Sequence, residues 1–233
     1  MKRSEINAFL REGQRFIAAH GYALPPFAAL SPEEFQARRS ELAGLIDARL
    51  GWDVTDFGGG DFAARGLLLF TLRNGKAADL NRGRGMLYAE KIMISRKDQL
   101  APMHRHDVKA EDIINRGGGT LALALFMSEG DGAIDRAARV AVPVDGTMRD
   151  LPAGGVLRLG PGESVTLLPG VWHAFWAEEA DVLIGEVSTV NDDETDNIFA
   201  EPVSRFAKIE EDEAPWRLLV SDYATWLGQA PDC

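Results

Sequence analysis

The chain has 233 residues, 45% of them hydrophobic and 26% charged, enough for one well-buried core with appendages. A formal net charge of -11 and a pI near 4.9 exclude a nucleic-acid backbone or an anionic membrane as partner, because both would be repelled. A single cysteine, Cys233, leaves no internal disulfide framework. The opening Met1-Lys2-Arg3-Ser4-Glu5-Ile6-Asn7 lacks the apolar stretch of a secretory signal, and no segment reaches the ~18 apolar residues of a bilayer span, so a cytoplasmic protein acting on a small neutral substrate is expected.

Residues 4–19 place Ile6, Phe9, Leu10, Phe16 and Ile17 at helical spacing, with Arg11, Glu12 and Arg15 opposite, which predicts an amphipathic helix ended by His20-Gly21. His20 reads as a terminal helix residue, not a ligand. Ser31, Pro32 and Glu34 form a capping box ahead of Leu42, Leu45, Ile46 and Leu50, a second helix closed by Gly51. Residues 1–55 are therefore expected to form a helical annex on one structural domain. Over 56–233 the pattern turns to strand-length runs at 66–72, 88–95, 100–106, 119–126, 140–144, 156–159, 164–168, 172–177 and 182–188. Turn signals punctuate them, among them Gly58-Gly59-Gly60-Asp61, Asp145-Gly146-Thr147 and Asn74-Gly75, the last reading as a hairpin turn. So many short strands imply a sandwich or barrel. Residues 192–212 are acidic and turn-rich, which predicts a solvated loop, and 215–226 predicts a short helix returning over the barrel.

Three of the four histidines form one constellation. His104 and His106, at i and i+2, project from the same face of a strand. Glu111 arrives after the bend Asp107-Val108-Lys109-Ala110, and His173 follows a Pro169-Gly170 turn that feeds a later strand. Three neutral imidazoles and a carboxylate suit a first-row divalent metal, and an octahedral ion held by them would keep two positions open for chemistry.

His104, His106, Glu111 and Gly118 resemble the first motif of the cupin superfamily, with Asp98 standing where a glycine is expected six residues before His104. Gly162 through Pro169-Gly170 to His173 resembles the second motif. The run from His104 to Gly119, the N-terminal Met1 to Asn7, Glu186-Val187-Ser188 to Asn191-Asp192-Asp193, and Glu201-Pro202 to Arg205-Phe206 are similar to the D-lyxose isomerase family of cupin sugar isomerases. The resemblance implies a mainly β fold, a cupin β-barrel (double-stranded β-helix or jelly roll) carrying the helical annex. It also implies aldose-ketose isomerisation of D-lyxose with D-xylulose and of D-mannose with D-fructose, a manganese-type ion on His104, His106, Glu111 and His173, and a homodimer.

Such a reaction removes the weakly acidic C2 hydrogen of an open-chain aldose, so it needs a carboxylate base and neutralisation of enediolate charge. Glu201, in the family-like segment, is the first candidate base, and Glu186, a charge centred in an apolar strand, is the second. Lys109, beside the ligands, is expected to stabilise oxygen charge; its structural alternative is a salt bridge to Asp107 or Asp112. Trp172, Phe175 and Trp176 flank His173 as core or sugar-stacking residues. The competing functions are a cupin dioxygenase, which would consume O₂, and a non-catalytic sugar-binding cupin, indifferent to loss of Glu201 or Lys109.

Overall fold

The computed structural model describes residues 1–228, so Cys233 lies outside the described residues. Helix α1 (Arg3–Ala19) buries Ile6, Leu10 and Ile17 along one stripe. His20 caps it, its Nδ1 2.8 Å from the Phe16 carbonyl oxygen. The predicted capping box is present: Ser31 Oγ accepts from the Glu34 amide at 3.2 Å and Glu34 Oε2 from the Ser31 amide at 2.7 Å. The helix it opens is shorter than predicted. Helix α2 (Pro32–Ala37) stops at Arg38 and a separate turn of helix, α3 (Ala43–Asp47), follows. Between Phe35 and Leu42 the sequence offers only Gln36, Ala37, Arg38, Arg39, Ser40 and Glu41, with no large apolar group to bury by continuing.

Gly51 does not close a helix. It starts strand β1 (Gly51–Thr55), inside the stretch expected to be helical, at a φ of +134° where any side chain would strike the Tyr223 hydroxyl. The remaining strands are β2 (Leu67–Arg73), β3 (Tyr88–Ser95), β4 (Ala101–Arg105), β5 (Glu111–Ser128), β6 (Ile134–Asp135), β7 (Val140–Val144), β8 (Thr147–Leu151), β9 (Gly155–Leu159), β10 (Ser164–Leu167), β11 (Trp172–Thr189) and β12 (Ile198–Phe199). They pair antiparallel in the order β1-β2-β3-β11-β5-β10-β7-β8, with β4 between β11 and β12 and with β6 and β9 on β5. This is the expected β-barrel with an N-terminal helical annex. Asn74-Gly75 is not a hairpin turn: helix α4 (Ala77–Arg82) lies between β2 and β3, and the Asn74 side chain instead exchanges two 2.9 Å hydrogen bonds with the Asn191 backbone. Asp98, in the place of the expected glycine, takes the left-handed backbone itself, at φ +61°.

Strand alternation divides the apolar residues between two cores. Leu67 and Leu69 of β2, Met93 of β3 and Ile184 of β11 face the barrel interior. Leu68, Phe70, Ile92, Ile94 and Leu183 face outward against Ile6, Leu10 and Ile17 of α1. Because both faces are covered, β2 reads as the unbroken apolar run Leu67-Leu68-Leu69-Phe70. The C-terminal segment returns as predicted, ending in α5 (Tyr223–Leu227), where Tyr223 stacks on Phe35 at 5.1 Å. No helix among the described residues is long and apolar enough to cross a membrane.

Candidate metal centre

The interior positions next to those apolar residues carry the chemistry. The ligand nitrogens available on His104, His106 and His173 lie within 4.8 Å of one another. His104 is the penultimate residue of β4, directly opposite His173 of β11 in the ladder, and His106 is the first residue beyond the strand. Each Nδ1 faces a backbone carbonyl oxygen: Pro102 at 2.8 Å for His104, Asp196 at 2.6 Å for His106 and Val171 at 3.1 Å for His173. A carbonyl only accepts, so each Nδ1 carries the hydrogen and each Nε2 presents its lone pair inward. Burial, with the positive character of the neighbouring imidazoles, pushes the His104 pKa well below the ordinary histidine value, which keeps the ring neutral.

Glu111, the first residue of β5, brings Oε1 to 3.1 Å from His173 Nε2 and 3.4 Å from His106 Nε2. Neither Oε1 of Glu111 nor Nε2 of His106 makes a hydrogen bond, although both atoms are buried. Buried lone pairs without donors are costly unless something else satisfies them. The donor set of three imidazole nitrogens and one carboxylate oxygen is that of a divalent metal site, so these residues fit a metal ion.

Beside the histidines runs a chain of alternating buried charges. Lys109 Nζ lies 2.6 Å from Glu111 Oε2 and 3.1 Å from Glu186 Oε1; its predicted alternative partners Asp107 and Asp112 are not used. Glu186 of β11 stands opposite Lys91 of β3 in the ladder, at 3.6 Å from its Nζ. Lys91 continues to Asp193 at 3.4 Å and to Asn191 at 2.7 Å. Asp193 pairs with Arg205 at 3.1 Å, and Arg205 reaches Asp53 of β1 at 2.8 Å. Burial pulls the Lys109 ammonium pKa down, but the carboxylates of Glu111 and Glu186 outweigh it and hold it above the ordinary lysine value. Burial pushes Glu111 and Asp193 up, yet Lys109 with His106 in the first case, and Arg205, Lys91 and Lys109 in the second, hold both well below the carboxylate range.

One cavity exposes this chain next to His104 and His173, walled on its apolar side by Phe57, Met93, Phe175 and Phe199. Three of the four expected ligands, His104, Glu111 and His173, line it with Lys109 and Glu186, and the His106 ring lies 5.3 Å from that of His104 and 5.7 Å from that of His173. Glu201 does not line it: its side chain is 69% exposed and sits 3.4 Å from Arg65. Phe175 lines the cavity, whereas Trp172 donates to the Gly132 carbonyl and Trp176 to Glu178. The segment 192–212 is not simply a solvated loop, because Asp193, Asp196, Asn197 and Arg205 turn inward. Sequence reasoning missed Asp53, Lys91, Asp193 and Asp196. For Asp53 and Lys91 a signal existed, a lone charge on the inward parity of an apolar strand.

A mainly β barrel with a triad of histidines able to hold a metal ion beside a charge-lined cavity defines a cupin-type fold. Solved structures of L-ribose isomerases share that fold: one from Acinetobacter sp. DL28, in complex with L-ribose, matches with a TM-score of 0.61 at 14% identity over 90% of this chain and 98% of that one. One from Cellulomonas parahominis matches at 0.55 and 17%, with the same coverages. A family model described as D-lyxose isomerase matches residues 1–223. A D-lyxose/D-mannose isomerase of Serratia proteamaculans is 49% identical over 231 residues, 97% of this chain and 100% of the relative; that of Escherichia coli O157:H7 is 46% identical over 226 residues, 96% and 98%. The chain belongs to the D-lyxose isomerase family. It is therefore an aldose-ketose isomerase acting on a sugar, and the dioxygenase and non-catalytic alternatives fall away.

Proposed function

We propose that the protein interconverts D-lyxose with D-xylulose, and D-mannose with D-fructose, by proton transfer at a divalent metal centre, with manganese as the working ion. The observation that carries the reading is the convergence of three imidazoles, each with Nδ1 tied to a carbonyl, on an unsatisfied Glu111 oxygen. The curated relatives supply the substrates. His104, His106, Glu111 and His173 would hold the ion, which when bound supplies Lewis-acid polarisation of the sugar carbonyl.

The chain's own groups account for the proton. Glu186 is the base we favour, because its carboxylate lines the cavity and Glu201 lies outside it. It takes the C2 hydrogen as a proton, exchanges it with solvent hydrogen, and delivers a proton to C1, while the hydroxyl proton passes from O2 to O1, so the ketose differs from the aldose by no net gain or loss. Lys109, between Glu111 and Glu186, places an ammonium where negative charge grows on oxygen. Phe57, Phe175 and Phe199 form the apolar wall beside the enediol. Assembly as a homodimer in the cytoplasm belongs to the same proposal and is checked by light scattering and cell fractionation.

The test is incubation with D-lyxose in D₂O after chelation and after manganese is restored. Solvent deuterium at C1 of xylulose, in the restored enzyme only, is expected. No turnover of lyxose or mannose with any divalent ion would overturn the proposal.

A further inference from the structure

The bend that separates the histidine pair from Glu111 has an unusual means of support. Its backbone amides at Asp107, Val108 and Lys109 point to one carboxylate, that of Asp196: Oδ1 accepts from Asp107 at 2.8 Å and Val108 at 3.0 Å, and Oδ2 from Lys109 at 2.8 Å. Three successive N–H groups converging on an anion form a backbone nest, and here the anion is supplied from 87 to 89 residues downstream. The same residue's carbonyl oxygen receives His106 Nδ1 at 2.6 Å. Asp196 is buried, at 7% exposure, so these bonds are not shared with bulk water.

We infer that Asp196 is a positioning residue for the centre, acting on His106 through its carbonyl and on Lys109 through its carboxylate. This inference rests on the metal reading above. The main-chain bond fixes which His106 nitrogen faces inward. The side-chain bonds fold the bend so that Lys109 and Glu111 enter the barrel together. Asp196 also belongs to the segment that brings Asp193 and Arg205 over the cavity, so the nest latches that segment to the ligand strand. Metal binding and closure of the segment are then thermodynamically linked, and linkage is reciprocal: an ion at His106 must tighten the nest.

The probe is Co2+, titrated into the chelated full-length protein by calorimetry and by its visible absorption, with amide hydrogen exchange read at residues 107–109. Asp196→Asn keeps the volume but turns an amide donor toward the Lys109 N–H. We expect the Co2+ Kd to rise about 10- to 100-fold, the size of effect seen on loss of an outer partner of a metal ligand. Exchange at Lys109 speeds up while the far-UV circular dichroism stays unchanged, and at saturating metal kcat falls more than KM shifts. A merely structural Asp196 would not move the cobalt spectrum or the kcat-against-KM split. An unchanged Kd and unchanged exchange overturn the inference while leaving the metal reading intact. Absence of Co2+ binding by the wild type overturns both. Should the variant fail to fold, the wild type decides: Co2+ must slow exchange at 107–109, and no change refutes the latch.

Discussion

Replacing Glu186 by glutamine separates the two candidate bases. The glutamine retains an oxygen that accepts from Lys109, now 3.1 Å from Glu186 Oε1, but it can neither take up a proton nor balance Lys91 at 3.6 Å. Breaking a buried ion pair costs about 3–5 kcal/mol when the survivor is left alone. Here neither lysine is left alone, because Glu111 stays 2.6 Å from Lys109 and Asp193 3.4 Å from Lys91. The loss is therefore at or below about 3 kcal/mol, the lower end of that range, and Tm falls by no more than roughly 6–12 °C in a chain of this size. At 25 °C the variant is folded. The general base contributes about 100- to 10,000-fold to rate, roughly 3 to 5 kcal/mol of activation free energy. Glu186→Gln should lose that much in kcat, measured by ketose formation at saturating lyxose and manganese, while manganese still binds by calorimetry. Glu201→Gln, whose partner Arg65 is a surface pair, should lose almost nothing. Wild-type turnover in the first variant, or an equal collapse in the second, would refute the assignment.

Three further outcomes follow from the same geometry. His173→Gln removes an inward Nε2 from the centre, and calorimetry should show Mn2+ affinity falling by more than the about 100-fold that bounds loss of an outer partner. Arg3→Met strips a buried guanidinium that forks Asp222 at 2.8 and 2.9 Å and Glu211 at 2.6 and 2.8 Å, tying α1 to the C-terminal segment; thermal unfolding should register a loss of about 3–5 kcal/mol. Asp193 has a depressed folded pKa, so its contribution is full above the ordinary aspartate value and is lost as pH falls through the folded one. Urea unfolding of the apoprotein at pH 7 and at roughly pH 3 should show the deficit of Asp193→Asn shrinking in acid.

The ligands were legible because histidine is scarce here and the strand period fixes what i and i+2 can share. Glu186 was legible for a related reason: a charge with the inward parity of Val182 and Ile184 needs a partner inside. The same test applied to Lys91, two residues before Met93, would have found its partner strand. Residues 192–212 could not be read this way. Their acidity predicts solvation, and it is Arg205 within the segment, the distant cations Lys91 and Lys109 and the bend amides that make an inward Asp193 and Asp196 favourable. Of the two longest strands, β5 is expected only over 119–126 and β11 as two runs, 172–177 and 182–188, since Gly117-Gly118-Gly119 and Glu178 to Asp181 interrupt the apolar pattern. The chain nonetheless stays paired: the ladder slips between Glu178 and Val182, and Gly118, at φ +103°, packs where a Cβ would meet the Asp181 carbonyl. β8, with its exposed Thr147-Met148-Arg149-Asp150, has no apolar face to announce it and is held by its two-residue turn to β7.

The alternation of charge along the cavity explains why an acidic protein can host a reaction that develops negative charge. Glu111, Glu186, Asp193 and Asp53 alternate with Lys109, Lys91 and Arg205, so four carboxylates face three cations. With all of them ionised the lining carries one net negative charge, and with Glu186 protonated it is neutral. In the proposed reaction a divalent cation on the histidines and Glu111 would raise these totals to plus one and plus two, so an enediolate would meet a positive lining. A proton passing from C2 to Glu186 would neutralise that carboxylate as the enediolate gains its charge, so the total charge would not change along the proposed reaction. A substitution that alters this count, such as Lys91→Gln beside Glu186, should therefore lower kcat while leaving the manganese stoichiometry at the histidines intact.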